Sequence, residues 1–131
     1  MLRLIDTFSG IGGFSYAAER IVGGFETVAF VECEPFCQKV LQKHWPLVDL
    51  YDDIKSYSPE PYSADVICAG FPCQDISVAG RQAGIKPGTR SGLFYELMRV
   101  IRQLRPQYVV LENVAAITAN GLDIVLGEMA E

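Results

Sequence analysis

The chain has 131 residues, half of them hydrophobic, and a formal net charge of −5. These values suit one folded domain, exclude an intrinsically disordered chain, and argue against a surface that grips nucleic acid on every side. No apolar run reaches the roughly 18–20 residues of a membrane span, and no long apolar stretch follows Met1 as in a secretory signal, so a cytosolic protein without membrane contact is expected.

In chain order, Leu2 to Ile5 reads as a short strand ending at Asp6, and Phe14, Ala17, Ala18 and Ile21 then recur at helical spacing until Gly23-Gly24. Thr27 to Val31, rich in β-branched and aromatic residues, is a second strand closed by Glu32. Pro35 suits a first helical turn, with Phe36, Val40 and Leu41 on one face and Pro46 beyond the end. Leu47 to Tyr51 is a third strand, 56–63 a loop, and Asp65 to Ala69 a fourth strand. Glycines 80, 84, 88 and 92 mark 74–92 as a long loop. Leu93 to Leu104 is a helix with Leu93, Leu97, Val100 or Ile101, and Leu104 as its stripe, and Pro106 ends it. Tyr108 to Leu111 is a fifth strand, and Ile117 to Glu131 a further helix.

Continuous apolar strands alternating with helices predict an α/β fold, doubly wound around a mostly parallel sheet. The chemically special residues cluster where strands end: 6–13, Glu32, Asp53, Pro72-Cys73 and Glu112. In such sheets ligands bind at the carboxyl ends of the strands, so one shared site built from five loops is expected.

"DTFSGIGGFS" (6–15) is a glycine-rich strand-to-helix turn, with Ser15 where the third glycine of a dinucleotide fingerprint would fall. By itself it is equally a plain tight turn. Glu32, twenty residues after Gly12, strengthens the ligand reading, because a carboxylate there accepts from both ribose hydroxyls. Asp53 is placed to accept from an adenine amino group, and Phe8 to pack on the base. An adenosine-type cofactor follows, with no phosphate clamp of the P-loop kind.

Of the four cysteines, Cys33, Cys37 and Cys68 read as buried inert thiols, and disulfides are not expected in a cytosolic chain. Cys33 and Cys37 with His44 match no standard zinc spacing, so no metal is assigned. Cys73 differs: it follows Pro72 at a strand end, where a thiol is either core or nucleophile. Glu112 ends the strand expected beside it. Six of the eleven basic residues lie between Arg81 and Arg105, opposed only by Glu96. Arg99, Arg102 and Arg105 read as a solvated helix face, and Arg81, Lys86 and Arg90 as candidates for phosphate contact.

"DTFSGIGGF", "VECE", "DDI", "AGFPCQ" and "LENV", in this order and spacing, resemble the first six motifs of the cytosine-C5 DNA methyltransferases across nearly the whole chain. The resemblance implies a Rossmann-like fold dependent on S-adenosyl-L-methionine, and methyl transfer to a cytosine flipped out of double-stranded DNA. It implies Cys73 as the nucleophile toward C6, Glu112 as the group that holds and protonates N3, Pro72 as the residue aiming the thiol, Gln74 as the start of a loop closing on DNA, and Asn113 as a brace. Phe8, Gly10, Gly12, Glu32, Asp53 and Ile54 would line the cofactor pocket. Cys33 stands where the family often has a tryptophan stacking on adenine, and Ile76-Ser77 where it usually has Phe-Ser.

No Gln-x-Arg-x-Arg motif and no target-recognition domain is present in these residues. Residues 1–131 therefore read as the N-terminal part of a methyltransferase catalytic domain, inactive alone, from a truncated or split bacterial or phage-encoded enzyme. A complementary C-terminal fragment or subunit, or self-association through an unpaired sheet edge, is the expected partner besides DNA. A non-catalytic module holding S-adenosylmethionine or a partner, and an RNA cytosine-C5 methyltransferase, are the alternatives.

Overall fold

The computed structural model describes residues 1–70 and 93–112. Five strands form one sheet: β1 (Leu2–Thr7), β2 (Phe25–Val31), β3 (Asp49–Tyr51), β4 (Val66–Ala69) and β5 (Tyr108–Leu111). Their order is β3-β2-β1-β4-β5, and every pairing is parallel. The chain steps outward from β1 through β2 and β3, then returns to the other side of β1 for β4 and β5. The reversal between β1 and β4 is a topological switch point, where a crevice opens at the carboxyl ends.

Period-two alternation explains why both faces are covered. Leu4, Val66 and Cys68 point to one face and are buried with Ala18. Ile5, Ile67 and Ala69 point to the other, against Phe94, Leu97, Val100 and Leu104 of α3 (Leu93–Leu104). Each of those α3 side chains is fully buried, which contributes about 1.5–3 kcal/mol apiece for the larger ones. On the first face α1 (Gly13–Tyr16) widens into a π-helical segment, Ala17–Val22, ended by Gly23-Gly24 as expected. α2 (Pro35–His44) starts on Pro35 and carries Lys43 in its last turn, where a cation suits the helix dipole.

Three apolar assignments change. Phe14 is 42% exposed, Ile21 72% and Phe36 66%, so helical spacing alone misplaced the buried face. The buried positions of the first helical segment are Ala18, which belongs to the expected stripe, and Ser15, which does not, both small enough to let the segment lie close to the sheet. α2 contributes Leu41 and, at its C-cap, Trp45, whose ring meets Phe30 edge-on at 5.1 Å. The third strand is also shorter than read, since Leu47 is solvent-exposed. The glycine-rich loop expected over 74–92 and the helix expected over 117–131 lie outside the described residues. Among the described residues β5 pairs on one side only, and no helix is long and apolar enough to cross a membrane.

Gly12 shows how the first turn is built. Its φ is +89°, and a Cβ there would lie 2.6 Å from the Trp45 ring and 2.9 Å from Leu41 Cδ2. The ring has little room to yield, because its Nε1–H donates to Glu19 Oε1 at 3.1 Å and it packs in an edge-to-face arrangement with Phe30. Gly12→Ala is expected to lose about 2–4 kcal/mol of stability in urea unfolding, from left-handed strain plus overpacking. Replacing Trp45 by Leu in the same chain should recover part of that loss. Strictly additive losses in the double variant would show that the collision is not the cause.

Candidate active site

Among the described residues, two adjoining cavities lie at the carboxyl ends of the strands, where one shared site is expected, and Phe8, held at φ +52°, lines both. The first, of about 590 Å³, is bordered by the ends of β2 and β3. Its lining includes Glu32, Cys33, Asp53, Ile54 and Leu93. This volume falls within the roughly 300–1,000 Å³ of ordinary small-molecule sites. The second, of about 620 Å³, lies at the switch point and is lined by Asp6, Phe14, Cys68, Gly70 and Glu112 among others.

Glu32 is already oriented. Its Oε1 accepts the Gly10 N–H at 2.7 Å and its Oε2 accepts the Glu34 N–H at 2.8 Å. Each oxygen keeps a lone pair for a further donor, so two adjacent hydroxyls fit the remaining capacity. Gly10 thus contributes its N–H to Glu32. Gly12 is not among the residues lining either cavity, and its Cα hydrogens pack toward Trp45 and Leu41. Asp53 closes a short turn, with Oδ1 accepting the Lys55 N–H at 2.9 Å, and Ile54 is buried behind it. Leu93, the first residue of α3, was read only as part of an apolar stripe and also forms part of the cleft wall.

Cys33 is exposed rather than buried and opens onto the first cleft, because β2 ends at Val31 and the chain turns outward before Pro35. Cys37 is half-buried, and Cys68 lies in the sheet as read. Burial, then the charge of Asp6, drives the Cys68 thiol far above the ordinary range, so it stays a donor. It donates to Asp6 Oδ1 at 3.3 Å, while Ser15 Oγ donates to Asp6 Oδ2 at 2.7 Å.

β4 and β5 are neighbours, and their ends are tied by the Glu112 N–H donating to the Ala69 carbonyl at 2.9 Å. The Glu112 carboxylate lies against Gly70, close enough that a Cβ there would sit 2.8 Å from Oε2. Gly70 had no role in the sequence reading beyond belonging to "AGFPCQ". Pro72, Cys73, Gln74 and Asn113, like Arg81, Lys86 and Arg90, lie outside the described residues. Arg99 is not a solvated face residue; its guanidinium binds backbone carbonyls of the loop after β3.

A parallel sheet with its reversal beside β1, a carboxylate at the end of β2 and a second at the end of β5 define a Rossmann-like fold of the methyltransferase type. The model of the family "C-5 cytosine-specific DNA methylase" matches residues 2–130, and the chain belongs to that family. It is 39% identical over 117 residues to the type II methyltransferase M2.BsuMI of Bacillus subtilis, covering 86% of this chain and 29% of that protein. It is 34% identical over 137 residues to the type II methyltransferase M.HhaI of Haemophilus parahaemolyticus, covering 99% and 40%. Among solved structures, the Dnmt2 methyltransferase of S. pombe shares the fold, with a TM-score of 0.74 at 20% identity over 99% of this chain and 40% of that one. The chain thus spans well under half the length of these relatives.

Burial raises the Asp6 carboxyl to about 6, outweighing the Ser15 and Cys68 hydrogen bonds that favour its charge, and the nearby Glu32 charge adds to the rise. The native state therefore holds a proton between about pH 4 and 6 that the unfolded chain has lost. This contribution to stability falls as pH rises through that window, and above it the buried charge costs about 2–3 kcal/mol. Asp6→Asn removes the effect. The stability of Asp6→Asn relative to the parent, from urea unfolding, is expected to rise by about 2 kcal/mol between pH 4 and 7. A difference constant over that range would contradict the assignment.

Proposed function

We propose that the protein is a DNA (cytosine-5)-methyltransferase, with S-adenosylmethionine in the first cleft and the target cytosine at the second. One juxtaposition supports this reading best: the Glu112 carboxylate lies over the end of β4, against Gly70, three residues before Cys73 in the chain. The family match, whose description names DNA, favours that substrate over RNA.

The first cleft suits the cofactor chemically. Glu32 has lone pairs left for two ribose hydroxyls, Phe8, Ile54 and Leu93 supply apolar walls, and Asp53 supplies an acceptor at the rim. Cys33 occupies part of the wall where a larger aromatic would cover more of a base. When bound, S-adenosylmethionine supplies the electrophilic methyl group that the activated C5 takes.

C5 of cytosine is too weak a nucleophile until C6 carries a substituent. The Cys73 thiolate forms a bond to C6, and the C5–C6 π electrons move into the ring. Glu112 donates a proton to N3, which neutralises the developing charge. After C5 gains its methyl group, a base removes the C5 proton, the C5–C6 double bond reforms, the thiolate leaves, and N3 returns its proton to Glu112. Pro72 restricts the backbone that aims the thiol, Asn113 braces the Glu112 turn, and Gln74 begins the loop that closes over DNA. Residues 1–131 then form the part that holds the cofactor and bears the nucleophile, and Arg81, Lys86 and Arg90, which follow Cys73 in the sequence, are the candidates for phosphate contact.

In the intact protein, Cys73→Ser is expected to lower methylation of duplex DNA by at least about 10³-fold, in line with loss of a nucleophile. A duplex carrying 5-fluorocytosine, whose C5 holds no proton to lose, should trap a covalent adduct mapped to Cys73 by mass spectrometry. Turnover of normal DNA without any adduct would rule out the addition step, and trapping on an RNA strand but not on DNA would reassign the substrate. Gly70→Ala places a methyl group where the Glu112 carboxylate lies, so turnover should fall about 10-fold or more with little change in urea stability. Equal losses of both would show that Gly70 acts through folding alone.

A further inference from the structure

The loop after β3 forms one wall of the first cleft, yet it is short, exposed at Asp52, Asp53 and Lys55, and bonded within itself by short-range turn contacts: the Lys55 N–H donates to Asp53 Oδ1 at 2.9 Å and Ser56 Oγ to the Asp53 carbonyl at 3.1 Å. The Ser56 N–H donates to the Asp53 carbonyl at 3.2 Å, and the Tyr57 N–H to the Ile54 carbonyl at 3.3 Å. Three carbonyls of this turn converge on a single side chain from across the fold. Arg99 donates from Nη2 to the Ile54 carbonyl at 2.7 Å and to the Lys55 carbonyl at 3.4 Å, and from Nη1 to the Tyr57 carbonyl at 3.0 Å. The guanidinium is itself held in place: Nε meets Glu96 Oε1 at 3.4 Å and Nη1 meets Gln103 Oε1 at 3.3 Å, both on α3.

The placement couples two walls of one cavity. α3 begins at Leu93, which lines the cleft, and reaches Arg99 less than two turns later. One rigid helix therefore presents an apolar wall residue and also grips the turn that carries Asp53 and Ile54. The far end of the turn is anchored by Tyr57, buried in the core with its ring 4.7 Å from that of Tyr51.

We propose that Arg99 is a positioning residue for the cofactor cleft, holding the Ile54–Tyr57 turn so that Asp53 and Ile54 stand at a fixed separation from Leu93. The proposal rests on reading this cleft as the S-adenosylmethionine site. Arginine is required because three carbonyls at different angles need the planar, forked set of five donors. A lysine offers a single ammonium that reaches only part of the set. Without the fork the turn must be ordered when the ligand binds, which weakens binding and leaves the chemical step untouched once the cleft is full.

The test uses the intact protein, with calorimetric titration of S-adenosylmethionine and of S-adenosylhomocysteine, steady-state methylation, and amide hydrogen exchange without ligand. Arg99→Ala is expected to raise Kd and the cofactor KM about 10-fold or more, with kcat at saturating cofactor within about threefold of the parent. Exchange at Lys55 to Tyr57 should rise. Arg99→Lys should fall between the two, and Glu96→Gln, which loses the charge but keeps an acceptor oxygen for Arg99 Nε–H, should bind within about twofold of the parent. If Arg99→Ala does not fold, Arg99→Lys decides, because parental affinity in that variant overturns the proposal. Unchanged affinity in Arg99→Ala, or a fall in kcat with KM unchanged, also overturns it. Failure of the parent to bind either ligand refutes the cofactor reading itself and removes the proposal with it, an outcome distinct from binding that is indifferent to residue 99.

Discussion

A buried carboxylate at the end of the central strand sets the geometry on which both clefts depend. Asp6 takes one hydrogen bond from Ser15 in α1 and one from Cys68 in β4, so it joins the strand before the switch point, the helix after it and the strand across it. Thr7 adds a bond from Oγ1 to the Cys68 carbonyl at 2.8 Å, and Ser9 Oγ returns to the Asp6 carbonyl. The crevice of a doubly wound sheet opens where neighbouring strands send their chains to opposite faces, which leaves the strand ends short of backbone partners. Here side chains supply those partners. The cost is a carboxyl group whose charge burial disfavours, and the return is a turn fixed before any ligand arrives.

The same principle recurs one strand away. Glu32 is held by the N–H groups of Gly10 and Glu34, so the loops after β1 and β2 are locked together through one carboxylate. A ligand hydroxyl that meets it finds an acceptor already aimed, and little side-chain entropy remains to be lost. At the sheet's other side, Glu112 lies across the end of β4 because Gly70 leaves room for it. Phe8 stands at the join of the two cavities. On the proposed reading, the methyl donor in the first cleft and the base at the second would meet beside this ring.

Much of this was legible in the residues. The central strands read correctly because apolar runs buried on both faces need no partner to be recognised, whereas the partly exposed β3 is shorter than its apolar run suggests; the parallel arrangement followed from the alternation with helices. The placement of special residues at strand ends was legible for the same reason. Helix faces were less so. Phe14, Ile21 and Phe36 fit a helical stripe but stand in solvent or line a cavity, since a short helix packed close to a sheet buries its small residues instead. Cys33 looked like a core thiol by type, and the outward turn before Pro35 exposes it.

By itself the sequence determined the fold class and the family, because these rest on local signals: hydrophobic period, turn residues, and short motifs with fixed spacing. The tertiary structure alone decided which side chains hold the site in shape. Arg99 is separated from the Ile54 carbonyl by 45 positions, and Trp45 from Gly12 by 33. Nothing in either neighbourhood announces its partner. An arginine on a charged helix and a tryptophan beyond a helix end look alike wherever they occur, and only the packing of α2 and α3 onto their faces of the sheet brings one against a glycine and the other against three carbonyls.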